Sequence, residues 1–130
     1  MNRPLIPDDI TRFILLCIPS VPYLEAMLLL RRENTRPWDR IRLAQRLYLS
    51  ESAAQALLSE LHVNGVLEIV DPELALYSYQ PKYDDLRQMI DRLDDTYAKN
   101  LIGVTNLIHS TVNKKAQQFA DAFIWRKKDS

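Results

Sequence analysis

Only two glycines, Gly65 and Gly103, interrupt a chain of 130 residues. That scarcity excludes a glycine-rich phosphate cradle of the P-loop or dinucleotide kind. Cysteine is rarer still. A lone Cys17 permits no disulfide within the chain, which fits a reducing cytoplasm. It lies inside the apolar run Phe13-Ile14-Leu15-Leu16-Cys17-Ile18, so the expectation is a buried, inert thiol. The two histidines, His62 and His109, fall in different predicted elements with no carboxylate at ligand spacing, and both read as helix-surface or hydrogen-bonded polar residues. These absences predict a protein that is not an enzyme and that carries no cofactor and no metal.

Proline is missing after Pro81, and five of the seven prolines precede residue 40, so helices should dominate beyond the first third. Long apolar runs are missing too. The stretch 13–30 is broken by Pro19, Pro22 and Glu25 and makes a poor membrane span. Asp8, Asp9 and Arg12 ahead of it argue against a signal peptide. A cytoplasmic protein with no membrane partner is therefore expected.

One sign of charge is absent from a whole region. Leu47 to Pro81 spans thirty-five residues without a Lys or Arg but with five acids: Glu51, Glu60, Glu68, Asp71 and Glu73. The formal net charge of zero is thus a sum of blocks. Residues 1–30 carry −1, 31–46 carry +4, 47–81 carry −5, 82–99 carry −1, 100–111 none and 112–130 carry +3. Such segregation gives a dipolar surface that can steer a protein as readily as a nucleic acid.

What is present is helical periodicity around one hairpin. Pro7-Asp8-Asp9 opens a first helix over about 8–18, with Ile10, Phe13, Ile14 and Cys17 on one face. Ser20 caps a second helix to about Glu33, with Leu24, Met27 and Leu28 inward. Thr35-Arg36-Pro37-Trp38 reads as a turn, and a third helix opens near Asp39 with Ile41, Ala44 and Leu47 inward. Ser50 caps a fourth, whose stripe is Ala54, Leu57, Leu58 and Leu61. Asn64-Gly65 stops it. Val66–Val70, the turn Asp71-Pro72-Glu73 and Leu74–Tyr79 form a hairpin, with Tyr77 and Tyr79 packed on the core.

Beyond Pro81, apolar residues from Leu86 to Phe123 recur with a mean step of about 3.7, the period of a helix that would be roughly 60 Å long if unbroken. A break is expected near His109-Ser110-Thr111, where hydroxyl and β-branched residues weaken the helix. The stripe exceeds what one small domain covers, so a homodimer is expected. Asp84, Asp85, Asp91, Asp94 and Asp95, mixed with Arg87 and Arg92, read as a solvated helix face. Arg126-Lys127-Lys128 suits the negative end of the last helix.

Ile41-Arg42-Leu43-Ala44-Gln45-Arg46-Leu47, then Ser50 to Leu61, then Asn64-Gly65-Val66-Leu67 running into the hairpin: this order resembles the MarR type of winged-helix transcription regulator. The resemblance rests on element order over most of the chain. It implies a mainly α fold with a small β-hairpin: a winged helix-turn-helix core at 35–81, N-terminal helices at 1–34, and a long C-terminal helical dimerisation region at 82–130, in a single domain. It also implies a dimer held through residues such as Leu101, Val104, Ile108, Phe119 and Phe123.

Two functions follow. In the first, the protein is a transcription regulator that binds double-stranded DNA as a dimer. Arg36, Arg40, Arg42 and Arg46 would clamp phosphates, and Ser52, Gln55 and Ser59 on the fourth helix would meet bases. The same arginines can equally form salt bridges with the acidic fourth helix or with Asp39 and Glu33. The alternative is a winged-helix protein–protein interaction module that docks a basic partner through Glu51, Glu60, Glu68, Asp71 and Glu73. The family's wing usually carries an Arg after an Asp. Here the tip is Asp71-Pro72-Glu73-Leu74, without one.

Overall fold

The computed structural model describes residues 5–110, and the first helix starts where the sequence places it, behind Pro7. Helix α1 spans Asp8–Cys17, with Asp8 and Asp9 at its positive end and Ile10 and Ile14 buried. Helix α2 spans Val21–Arg32 and is apolar on most sides, burying Tyr23, Leu24, Ala26, Met27, Leu28 and Leu30. Helix α3 spans Arg40–Leu47; the Asp39 side chain caps it by accepting from the Arg42 amide at 2.9 Å. Helix α4 spans Glu51–Val63 and is capped by Ser50, whose hydroxyl oxygen accepts from the Ala53 amide at 3.0 Å. Gly65, at φ +81°, turns the chain out of α4 in the left-handed region that glycine tolerates.

Strands β1 (Leu67–Asp71) and β2 (Leu76–Tyr79) pair antiparallel, with Leu67 opposite Tyr79 and Ile69 opposite Tyr77. The register shifts between Ile69 and Asp71. The connecting turn is closed by the Asp71 carboxylate, which accepts from the amides of Glu73 and Leu74. Tyr77 and Tyr79 both point into the core, as the alternation predicts.

The segment read as a simple turn does more than reverse the chain. Trp38 bridges Tyr77 with both backbone bonds, N–H to carbonyl at 2.7 and 2.8 Å, so it forms a one-residue third strand outside β2. Its indole is fully buried and donates to the Glu33 carbonyl at 2.8 Å. One residue cannot show a periodicity, which is why the pattern concealed it.

Helix α5 spans Asp84–Lys99 and a sixth, α6, runs over Leu101–Ser110. A break falls at Asn100, where the apolar period suggests none; of the segment expected to break, His109 and Ser110 are helical and Thr111 lies outside the described residues. The Asn100 carboxamide accepts from the Gly103 amide at 3.0 Å, capping α6. A Cβ on Gly103 would lie 2.6–2.8 Å from that carboxamide, so this glycine leaves room for the cap. The restart resets the helical phase. Ile90, Leu93 and Tyr97 are buried along α5 and Val104 and Ile108 along α6, but Leu101, between the two sets, is exposed.

Two further expectations are corrected. Cys17 is exposed, because α1 buries Ile10 and Ile14 and the position three residues on turns to solvent. Ile41 is 47% exposed, and Leu43 is the fully buried anchor of α3 together with Ala44. The cap at Asp39 sets the helix phase so that 43 and 44, one turn past the cap, face inward.

The chain forms two units. One is Val21–Asp95; the other joins the N-terminal stretch up to Ser20 with the chain from Thr96 onward. The first holds α2, α3, α4, the hairpin and most of α5 around Trp38, Leu43, Leu58 and Leu61. The second holds α1 and α6, with Leu15, Leu16, Leu101 and Ile102 exposed. Among the described residues no single helix is long and apolar enough to cross a membrane.

Candidate interaction surface

Within the unit Val21–Asp95, α3 and α4 lie side by side and bring the arginine block against the acidic block. The result is largely self-neutralising. Arg46 forms a two-pronged pair with Glu33, one bond being 2.7 Å. The pairing holds the Glu33 carboxyl below its ordinary range and the Arg46 guanidinium above its own. Arg40 reaches Glu51 at 3.4 Å, a long, exposed contact. The Arg42 guanidinium carbon lies over the Trp38 ring, 3.6 Å from its centre, and the group donates to the carbonyls of Arg36 and Pro37 at 3.3 and 3.2 Å. Burial lowers its pKa, and the neighbouring charge of Arg36 adds to that. Arg36 is exposed and has no acid partner among the described residues.

The remaining two arginines of the block are engaged elsewhere. Arg31 bonds Asp91 at 2.8 Å and Asp94 at 2.6 Å, and Arg32 also pairs with Asp94. Asp91 and Asp94 are therefore not merely a solvated face; they clasp the end of α2. Sequence spacing could not reveal this, since the partners lie about sixty residues apart.

On α4, Ser52 and Ser59 are exposed, as the sequence reading requires. Gln55 is not free. Its amide nitrogen donates to the Ser59 hydroxyl at 3.0 Å and the Tyr77 hydroxyl at 3.1 Å, and its oxygen is buried without a partner. The same face shows Glu51 and Glu60, and the hairpin adds Glu68 and Glu73 in the open and Asp71 half-buried. The five acids are thus on accessible surface, while most of the arginines are spoken for.

His62 is a bonded polar residue: its Nδ1 lies 3.0 Å from the Leu67 carbonyl oxygen and so carries the proton. Among the described residues no cluster of His, Cys, Asp or Glu could hold a metal. Beside His62, a groove of about 550 Å³ is lined by Val63, Leu67, Glu68, Pro81 and Lys82. Neither this groove nor the Trp38 bridge is legible in the sequence. Tyr48, between α3 and α4, is a further unforeseen feature. It has φ +57° and is 95% exposed, an unusual conformation for an aromatic residue.

Of the residues proposed for a dimer interface, Leu101 is exposed, whereas Val104 and Ile108 are fully buried within the chain itself. Phe119 and Phe123, like Arg126-Lys127-Lys128, lie outside the described residues. The chain matches no protein-family model, and no curated protein matches it significantly.

Proposed function

We propose that this protein is a winged-helix regulatory protein whose helix-turn-helix unit docks a protein through α4 and the hairpin. The element order α2, Trp38 bridge, α3, α4, hairpin supports the winged-helix reading. One observation carries the choice of partner. The unit Val21–Asp95 holds nine Lys and Arg against thirteen Asp and Glu, a net −4, and its α3 arginines are largely matched to its own acids or carbonyls. DNA affinity comes mainly from cations that replace counterions on phosphates. A unit of net negative charge with its arginines already matched starts at a disadvantage. A basic protein segment meets the opposite balance.

The DNA-binding dimer is the second reading, favoured by the exposed Arg36 and by the packing of α3 against α4. Anisotropy titration with duplex DNA at low and moderate salt separates the two. The expected result is no saturable binding at either salt; a tight complex that weakens steeply with salt transfers the assignment to DNA. Homodimerisation is proposed alongside, supported by the exposed apolar residues Leu15, Leu16, Leu101 and Ile102 of the other unit. Light scattering is expected to give about twice the 15.2 kDa of one chain, and a stable species at 15.2 kDa overturns it.

A further inference from the structure

The outer edge of the hairpin is open, and its chemistry specifies what fits there. Tyr77 spends its backbone N–H and carbonyl on Trp38, so at this residue β2 directs its hydrogen-bonding groups away from β1. The Gln80 amide bonds the Val66 carbonyl, which sets the alternation of the ladder. Residues 66 and 68 bond toward β2, and Leu67 and Ile69 turn their N–H and carbonyl groups outward. His62 occupies the Leu67 carbonyl. The N–H and carbonyl of Ile69 are thus the matched donor and acceptor that an added antiparallel strand needs.

Two surroundings make this edge more than an unpaired strand. The groove of about 550 Å³ lies at the base of β1, with Val63, Leu67 and Pro81 as apolar lining. Val63 is 81% exposed on the last turn of α4 and has no covering side chain. The groove itself carries Glu68 and Lys82, and the elements that form it add acids farther along, Glu60 on α4 and Asp71 and Glu73 at the hairpin turn. Leu67 and Ile69 face one side of β1, and Glu68 and Val70 the other. A strand laid alongside meets apolar surface and carboxylate in alternation.

We infer that the free edge of β1 and the groove at its base bind an extended basic segment of a partner protein, which adds as an antiparallel strand paired with Ile69. Its apolar side chains seat against Val63, Leu67 and Pro81, and its alternate lysines or arginines meet Glu68 and the acidic turn. This deepens the protein-docking reading and rests on it.

The test uses the full chain and a fluorescein-labelled short peptide of alternating Lys and Val, with an alternating Glu and Val peptide as control. Binding is read by anisotropy and by amide chemical shifts. The Lys–Val peptide is expected to bind saturably, to shift the Ile69 amide, and to leave the Glu–Val peptide without effect. Ile69→Pro removes a donor that the sheet does not use, and Val63→Arg fills the groove from an exposed position. Each is expected to weaken the complex about tenfold or more while the thermal transition is kept. Val63→Arg decides the matter if Ile69→Pro fails to fold. The inference is overturned if no peptide binds, if the folded variants bind as the wild type does, or if duplex DNA displaces the peptide. Retained binding in both edge variants, lost with Glu51→Lys, sinks the edge site while leaving protein docking on α4 in place.

Discussion

Helices α3 and α4 are neighbours of opposite character. The guanidiniums of Arg42 and Arg46 on α3 are held by an aromatic face, by backbone carbonyls and by Glu33. Helix α4 carries Glu51 and Glu60 with a single long contact to a cation, from Arg40, among the described residues. The sequence contains the same charges in the same order, yet it reads as a basic patch beside an acidic one. Folding engages most of the basic patch in contacts within the chain, at the surface, and leaves the acidic one with few partners. Charge blocks in a sequence therefore count what is available only after the fold has matched its own pairs.

Three substitutions break or sharpen this contrast. The largest effect is expected from Trp38→Ala, which empties a fully buried site and removes the platform under Arg42. It should cost about 4 kcal/mol in urea unfolding; a loss below about 1 kcal/mol would mean that the ring does not support α3. Next comes the inward face of α3. Leu43→Ala should cost about 3 kcal/mol and Ile41→Ala under about 1 kcal/mol, since the first is fully buried and the second is 47% exposed. The reverse order would restore the face that periodicity suggested.

The smallest effect separates the two hairpin tyrosines. The Tyr77 hydroxyl bonds Gln55 of α4, whereas the Tyr79 hydroxyl is buried without a partner. Burial, with the nearby charge of Asp91, pushes the Tyr79 phenol from 10.0 up to about 12. A folded-state pKa above the unfolded one stabilises fully below pH 10 and is lost as pH rises from 10.0 through about 12. Tyr79→Phe should therefore gain about 1 kcal/mol near neutrality, with an advantage that widens at about pH 11. Tyr77→Phe should lose a comparable amount by freeing Gln55. Urea melts of both variants at the two pH values check the pair.

Local signals were legible and distant ones were not. Ser50, Asp39 and Asn64-Gly65 marked helix ends because caps and stops act through neighbouring residues. The hairpin and its inward tyrosines followed from a period of two. The break at Asn100 escaped because the apolar period runs almost straight through it, and only the carboxamide-to-Gly103 bond betrays the restart. On α3 the periodicity points to Ile41, whereas the buried anchor is Leu43, beside Ala44. At the candidate surface, the five acids were found and their accessibility follows the expectation, apart from the half-buried Asp71. The pairs Arg46–Glu33 and Arg40–Glu51 match one of the two readings the arginine block allows, whereas the clasp of Arg31 on Asp91 and Asp94 joins residues about sixty apart, a gap no spacing rule spans.

The double backbone bond between Trp38 and Tyr77 carries a consequence for motion. It rivets the approach to α3 to the middle of the hairpin, so neither can open without the other. In amide hydrogen exchange these two residues, far apart in the chain, should lose protection together, as one cooperative piece. A strand that settles on Ile69 would brace Tyr77 across the ladder and so slow exchange at Trp38, a residue it never touches.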